Sequence, residues 1–447
     1  MKLKIAEHLW LPLCKSLLDR KDVESAGLLL GEALPTSTGT VIVIRESFPV
    51  PESTYRIRRA DQLSLDPVEM NRLTRRARER GWSVFTIHTH PGASAAWFSP
   101  ADDAGDARFM PSLCAQIPGV PHGSLVLVND GSTIARVFAK DGNARHIPLV
   151  IVGRTLECAQ PVTADPDPWF SRQVLALGAH GQARLRRLRV AVVGLGGIGS
   201  LVSLQLAHLG VGELVLLDGD KVEASNLSRI AGATKGDVGN SYKVDVAARY
   251  ARSLSLVAHL EVYREFISQV HEPLLGGCDV IVSCVDRYIP RALLNRLAYR
   301  FVVPTIDLGT VFRVDEKGAI SGDAGRVVVL GSGRPCLACW GHLDPHALRT
   351  EALPDAARDR EIEEGYIEGA VEEQPSVVAF NTVVAGAGVV EVVRLATGFA
   401  GAESPPRRLA FSFAEGTVRR NALVGDVRCG VCGSQARGEE PHKGSTE

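Results

Sequence analysis

The chain has 447 residues, 45% of them hydrophobic and 23% charged, with a formal net charge of -1. That length predicts two or three domains, and the apolar content is enough to fill more than one core. Near-neutral charge excludes a global basic field that would draw the molecule to nucleic acid or an anionic membrane, so neither is an expected partner.

The first residues, MKLKIAEHLWLPLCKSLLDR, mix lysines with leucines in the manner of a signal peptide. Glu7, His8 and Lys15 interrupt the apolar run and no small-residue cleavage site follows, so the segment reads as a helix. With no targeting or membrane segment, the expected location is cytoplasmic, where the nine cysteines are reduced. Residues 1–150 then alternate short apolar runs with polar turns and one helix, DPVEMNRLTRRARERG. Its arginine-rich part, 72–80, suits an acidic partner but is more often simply a solvated helix face.

Within this first half, 82-WSVFTIH-88 reads as a buried strand, and a period of two puts His88 and His90 on one face. Two imidazoles on one face begin a zinc site, and a catalytic zinc takes three protein ligands while keeping one position open. Asp102, beyond a short loop, is the natural third ligand. Glu24, ahead of the apolar run in 24-ESAGLLLGE-32, is placed to shuttle protons. Taken singly, each of these residues is more often structural or surface-exposed than a ligand.

Three prolines in 158-CAQPVTADPDPW-169 mark a linker, taken as 151–169. The run 190-VAVVGLGGIGSLVSLQLAHLGVGELVLL-217 is long and apolar enough for a membrane span, but its clustered glycines and strand–helix–strand rhythm fit a buried βαβ unit. Gly194, Gly196, Gly197 and Gly199 let backbone approach a phosphate at a helix N-terminus, and Asp218 is placed for a ribose. That pattern alone also suits an NAD dehydrogenase. The following block, with Asp218, Asp220, Asn226 and Arg229, then Lys243 and Asp286, argues against hydride transfer. Cations around a triphosphate and a carboxylate for Mg²⁺ are what nucleotidyl transfer needs. Cys336–Cys339 and Cys429–Cys432 form two C-x-x-C pairs that fit a tetrahedral Cys₄ zinc site, the alternative being a redox disulfide. The last residues, 436–447, are polar and expected to be disordered.

Two family resemblances gather these residues. Glu24, the H-x-H-P of His88 and His90, seven further residues and the S-x-x-D of Ser99 and Asp102 closely resemble the JAB/JAMM (MPN) metalloprotease signature, over about residues 1–140. The resemblance implies His88, His90 and Asp102 as zinc ligands, Glu24 as general acid/base and Ser99 as a stabiliser of the oxyanion. Enzymes of that family cleave bonds after the C-terminal glycine of ubiquitin-like proteins, and some bacterial members trim sulfur-carrier proteins. The second half resembles the ThiF/MoeB and ubiquitin-activating family from 170-FSRQ-173 to the last cysteine pair. This implies ATP on the four glycines, Asp218 on the ribose, Asn226, Arg229 and Lys243 on phosphates, Asp286 on Mg²⁺, and a structural zinc on the four cysteines. Arg172 resembles an arginine that family members supply across a homodimer interface. Two departures stand out: 238-VGNSYK-243 has one residue more than the family's spacing, leaving Lys235 as the alternative to Lys243, and Arg287 stands where the family commonly has Asn. Thioester-forming relatives place a cysteine after the first zinc pair, and none lies between Cys339 and Cys429 here.

The expected architecture is therefore α/β throughout: a JAB/MPN-type domain over 1–150, then a Rossmann-like ATP-binding adenylating domain with a Cys₄ zinc site over 170–435. The implied function is a homodimeric, bifunctional enzyme that hydrolyses the bond after the terminal glycine of a ubiquitin-like partner and adenylates that terminus, handing it towards a conjugating enzyme. Activation of a sulfur carrier in biosynthesis is the alternative, and a non-catalytic scaffold a further one.

Overall fold

Lys2–Ala6 forms a strand, β1, and only then does a helix begin, α1 (Glu7–Leu17). The helix expected from the first residue is thus shorter, because Leu3 and Ile5 are fully buried between parallel neighbours supplied from elsewhere in the chain. The computed structural model describes residues 1–138, 143–158, 167–315, 320–364, 375–401 and 408–433. The expected disordered tail and much of the proline-rich linker lie outside them. The chain divides into two compact units, Met1–Pro161 and Val162–Glu447.

In the first unit the strands after β1 are β2 (Ala26–Thr36), β3 (Gly39–Pro49), β4 (Tyr55–Arg58), β5 (Leu63–Leu65), β6 (Ser83–His90), β7 (His122–Val128), β8 (Thr133–Phe138), β9 (Ala144–His146), β10 (Leu149–Val152) and β11 (Leu156–Cys158). Eight of these, together with β1, make one nine-stranded mixed sheet, ordered β11-β10-β1-β3-β2-β6-β7-β8-β9, and β4–β5 is a separate hairpin. β10 and β11 occupy 149–158, so the sheet extends into the span assigned to the linker. Further helices are α2 (Pro67–Leu73), α3 (Arg75–Arg80) and α4 (Pro100–Gln116). The single helix expected over the arginine-rich stretch is broken at Thr74, whose hydroxyl bonds back to the Met70 carbonyl at 2.9 Å. Its arginines are engaged inside the unit: Arg72 with Glu69, Arg75 with Glu79, Arg76 with Glu46.

Period-two alternation along β6 decides which side chains reach the site. Phe85 and Ile87 join Trp10 and Leu13 of α1 in one core, while Val84 joins Met110 and Leu113 of α4 in the other. His88 and His90 continue the Val84 face.

The second unit has α5 (Ser171–Leu185, broken at Gly178), β12 (Arg189–Val193), α6 (Gly197–Leu209), β13 (Glu213–Leu217), α7 (Lys243–Leu254), β14 (His259–Tyr263), α8 (Glu272–Gly276), β15 (Val280–Ser283), α9 (Tyr288–Arg300), β16 (Thr305–Val314) and β17 (Ile320–Leu330). After these come α10 (Pro345–Ala352), α11 (Asp355–Glu363), α12 (Val378–Thr397), β18 (Arg408–Ser412) and β19 (Thr417–Asn421). The sheet runs β14-β13-β12-β15-β16-β17-β18-β19, parallel as far as β16 and antiparallel beyond it. The apolar run 190–217 is resolved into β12, α6 and β13, the βαβ unit read from its rhythm. By length and composition α12 could cross a membrane; in this fold it packs on α5, α6 and β16, with Val384, Ala385 and Val392 buried.

Candidate active sites

In the first unit β6 ends at His90, in the middle of the sheet between β2 and β7, so His88 is held in register with Ala26 and Val126 and His90 with Val128. Opposite them stands the first turn of α4. Ser99 caps that helix: its hydroxyl accepts from the Asp102 amide at 3.2 Å, and the Asp102 carboxylate accepts from the Ser99 amide at 2.6 Å. The capping box fixes Asp102 facing β6. His88 Nε2 lies 2.9 Å and His90 Nε2 3.3 Å from the two Asp102 oxygens, and the two Nε2 atoms are 3.1 Å apart. The tetrahedral edges of a zinc site with bonds of 2.0–2.1 Å are about 3.3 Å, so this donor set fits the ion. Burial opposes ionisation of Asp102, but hydrogen bonds from His88 and His90 outweigh it and hold the carboxyl well below its usual range. The same Asp102 bond raises the basicity of His90.

Glu24 precedes β2 and is 8% exposed. Burial pushes its carboxyl up, against the pull of His88 and His90, which is the direction a proton shuttle needs. Its backbone is clamped by residues that sequence reasoning did not single out. Arg58 Nε donates to the Glu24 carbonyl at 3.1 Å and Nη2 to the Ser25 hydroxyl at 2.7 Å. Thr89, between the two histidines, accepts from the Ser25 amide at 2.8 Å. Local sequence carries no signal for Arg58, because its partners lie more than thirty residues away.

In the second unit β12 is flanked by β13 on one side and β15 on the other, so the chain reverses its winding at β12 and leaves a crevice beyond the strand ends. The glycine turn enters that crevice. Gly194 has φ +88°, and a Cβ there would lie 2.8 Å from the Cys284 carbonyl; one on Gly199 would lie 1.8 Å from the Gly194 carbonyl. Gly196, by contrast, has open space around it. Asp218 is buried, and its two oxygens accept from the Leu195 amide at 2.6 Å and the Asp220 amide at 2.8 Å, fixing the turn as well as the expected ribose position. Burial pushes its carboxyl up.

Lys243 is the first residue of α7, and its Nζ pairs with Asp220 at 2.7 Å, which places it in the block despite the altered spacing. Lys235 is exposed in a separate turn. Arg229 donates to the Ser225 carbonyl and Asn226 caps the turn at Glu223, so both are held beside the start of α6, where Arg229 Cδ approaches Gly197. Asp286 and Arg287 are exposed in the loop after β15, and Arg172 is exposed on α5.

A buried device under that loop escaped sequence analysis. Arg291 donates to the Val285 carbonyl and to Asp307, which also accepts from Ser283 at 2.9 Å and Arg326 at 3.3 Å. An arginine five residues after Asp286 looks like any other on a helix. Asn381 of α12 is likewise buried, accepting from Thr310 at 3.2 Å beside Gly197.

The cysteine pairs converge as expected from their spacing. Cys336 and Cys429 Sγ are 3.6 Å apart, Cys339 and Cys432 3.5 Å, and Cys336 and Cys339 3.9 Å. Zn–S bonds of about 2.3 Å require edges near 3.8 Å, whereas a disulfide requires about 2.05 Å, so the four thiols fit a zinc ion. Burial pushes the Cys284 thiol up, away from nucleophilic character.

A model of the ThiF family matches residues 170–431, and one of prokaryotic homologs of the JAB domain matches residues 7–139. The SAMP-activating enzyme E1 of Haloferax volcanii is 35% identical over 42% of this chain and 66% of its own. The adenylyltransferase and sulfurtransferase uba4 of Aspergillus clavatus is 29% identical over 62% of this chain and 54% of its own, so the chain spans about half the length of that relative. A crystal structure of E. coli MccB with ATP is 21% identical, with a TM-score of 0.47, over 60% of this chain and 75% of its own.

Proposed function

The chain belongs to the ThiF family, and on that premise we propose that its two units act on one partner, a ubiquitin-like or sulfur-carrier protein ending in glycine. The observation that carries this reading is the presence, on one polypeptide, of a His88–His90–Asp102 donor set and a ThiF-family nucleotide fold. The first unit hydrolyses the peptide or isopeptide bond after the partner's terminal glycine, and the second adenylates the carboxylate so released.

A zinc ion on His88, His90 and Asp102 would supply Lewis acidity that brings the pKa of water towards neutrality. Glu24, buried and feeling the charge of His88 and His90, takes the proton of the attacking water and returns it to the leaving nitrogen. The Ser99 hydroxyl, whose oxygen is engaged by the Asp102 amide, keeps its own proton free to donate to the developing oxyanion. In the second unit a carboxylate oxygen of the partner attacks the α-phosphorus of ATP; that P–O bond forms, the α–β phosphoanhydride bond breaks, and pyrophosphate leaves. The glycine turn and the α6 N-terminus receive phosphates. Arg229 and Lys243 offset the charge on the leaving group, Asn226 holds their loop, and the remaining lone pairs of Asp218 and Asp220 take the ribose hydroxyls. Asp286, exposed at the crevice, would hold Mg²⁺.

With no cysteine between Cys339 and Cys429, the adenylate passes directly to an acceptor rather than to an enzyme thioester. Protein conjugation, with a conjugating enzyme as next partner, is the reading we adopt. Sulfur transfer is the second, favoured by the relatives named adenylyltransferase and sulfurtransferase. A homodimer sharing the exposed Arg172 and a reducing, cytoplasmic setting for the four thiols complete the proposal. The test is ATP–pyrophosphate exchange: it should require a partner with a free C-terminal glycine and disappear in Asp286→Ala. Exchange in the absence of any such partner, or none with any candidate, would sink the reading.

A further inference from the structure

The first two turns of α4, which carry Asp102, contribute no buried apolar side chain. The buried residues of this helix are Asp106, Met110 and Leu113, and Phe109 packs partly buried against the same core, so the hydrophobic anchor starts only at Phe109. What holds the ligand-bearing end is a guanidinium from across the sheet. Arg136 of β8 is 5% exposed. Its Nε and Nη2 donate to one Asp106 oxygen at 3.1 and 2.6 Å, and its Nη1 donates to Asp103 at 2.5 Å. Ser124 of β7 donates to the same Asp106 oxygen at 2.5 Å and accepts from Arg136 Nε at 3.0 Å. The Phe98 ring, next to the capping Ser99, lies 3.8 Å from the Arg136 Cζ.

One side chain thus grips the residue after Asp102, the residue one turn beyond it and the ring before the helix cap. Buried ion pairs contribute little net stability because both charges must be desolvated, yet a planar fork with several fixed donors defines position well. We propose that Arg136 is a positioning residue for the first unit's metal site: through Asp103, Asp106 and Phe98 it fixes the first turn of α4 and so sets the affinity of His88, His90 and Asp102 for zinc. This rests on reading that donor set as a zinc site. Lysine at 136 keeps the charge but cannot engage Asp103, Asp106 and Ser124 together.

The experiment is zinc affinity by chelator competition on the full chain, for wild type, Arg136→Lys and Asp103→Asn, with His88→Ala defining the zinc held by the cysteines alone. The absorption spectrum of the cobalt-substituted site reports ligand geometry alongside. Arg136→Lys should weaken the histidine-site zinc about 10–100-fold, the range for partners that orient metal ligands, and alter the cobalt bands while leaving the cysteine-site zinc unchanged. Asp103→Asn, at a side chain 62% exposed, keeps the fold and should weaken the same zinc to a smaller degree. Wild-type affinity and cobalt bands in folded Arg136→Lys, or in Asp103→Asn should the lysine variant not fold, would overturn the proposal. Wild-type protein holding only the zinc that His88→Ala also holds would overturn the zinc reading itself, and this inference with it.

Discussion

Gly196 and Gly199 have the same role expected of them and opposite surroundings. A methyl group at Gly199 would meet the Gly194 carbonyl at 1.8 Å, while one at Gly196 meets nothing within 4 Å. Gly199→Ala should therefore disrupt the turn itself and lower the unfolding midpoint of the protein. Gly196→Ala should leave the midpoint unchanged and weaken ATP binding, because its open space is where a phosphate approaches the backbone. Equilibrium ATP titration beside thermal unfolding checks both, and equal loss of stability in the two variants would contradict this account of the turn. At this scale much of the site is legible in sequence. Two histidines two apart on a strand must share a face, whereas Ser99, expected only as an oxyanion stabiliser, is found also to cap α4. The clamps are not legible: Arg58, Arg136 and Asp307 act through partners distant in sequence, and nothing local sets them apart from surface charges.

The loops are held by buried charges as well as by strands. Asp307 on β16 is fully buried and joins Arg291 and Arg326 under the loop that bears Asp286. Asp307→Ala should destabilise the second unit by about 3–5 kcal/mol, since it strands Arg291 without its counter-charge. Chemical unfolding followed by the second unit's signal measures this; a change under about 1 kcal/mol would mean that water satisfies the guanidinium. The loop between β13 and α7 depends on Asp237, whose carboxyl is held well below its usual range by Arg249 and then Thr234. An unfolded aspartate titrates near 3.9, so the unfolded chain takes up the proton first, and this group's stabilisation is present above about pH 4 and lost as pH falls below it. The gap in unfolding midpoint between wild type and Asp237→Asn should hold from pH 7 to about pH 5 and narrow from there towards pH 3, and a constant gap over the whole range would assign the stabilisation elsewhere. Sequence reading placed the βαβ unit correctly because glycines punctuate it. It took β1 for helix because KLKIA is short and its partners, Leu149–Val152 and Val41–Val43, lie far along the chain. It merged α2 and α3 because the back-bonding of Thr74 has no signature in composition.

Taken whole, the molecule joins a JAB-type domain to a ThiF-family fold. Neither half by itself names its substrate: histidines and an aspartate suit any peptide bond, and a glycine turn suits any nucleotide. On the function proposed above, their fusion narrows both to a common object, the carboxyl end of a small carrier protein, which one half would expose and the other activate. The domain order was legible because each half carries a spaced motif of its own, and the matched families follow the same division at residues 7–139 and 170–431. The most direct measurement is intact-mass analysis of a ubiquitin-like partner bearing a C-terminal extension, incubated with zinc-loaded enzyme, with and without ATP·Mg²⁺. The account predicts loss of the extension without ATP and a further gain of one adenylyl group with it; Glu24→Ala should abolish the first change and Asp286→Ala only the second. Adenylation of the unprocessed partner by Glu24→Ala, or removal of the extension by that variant at the wild-type rate, would contradict it.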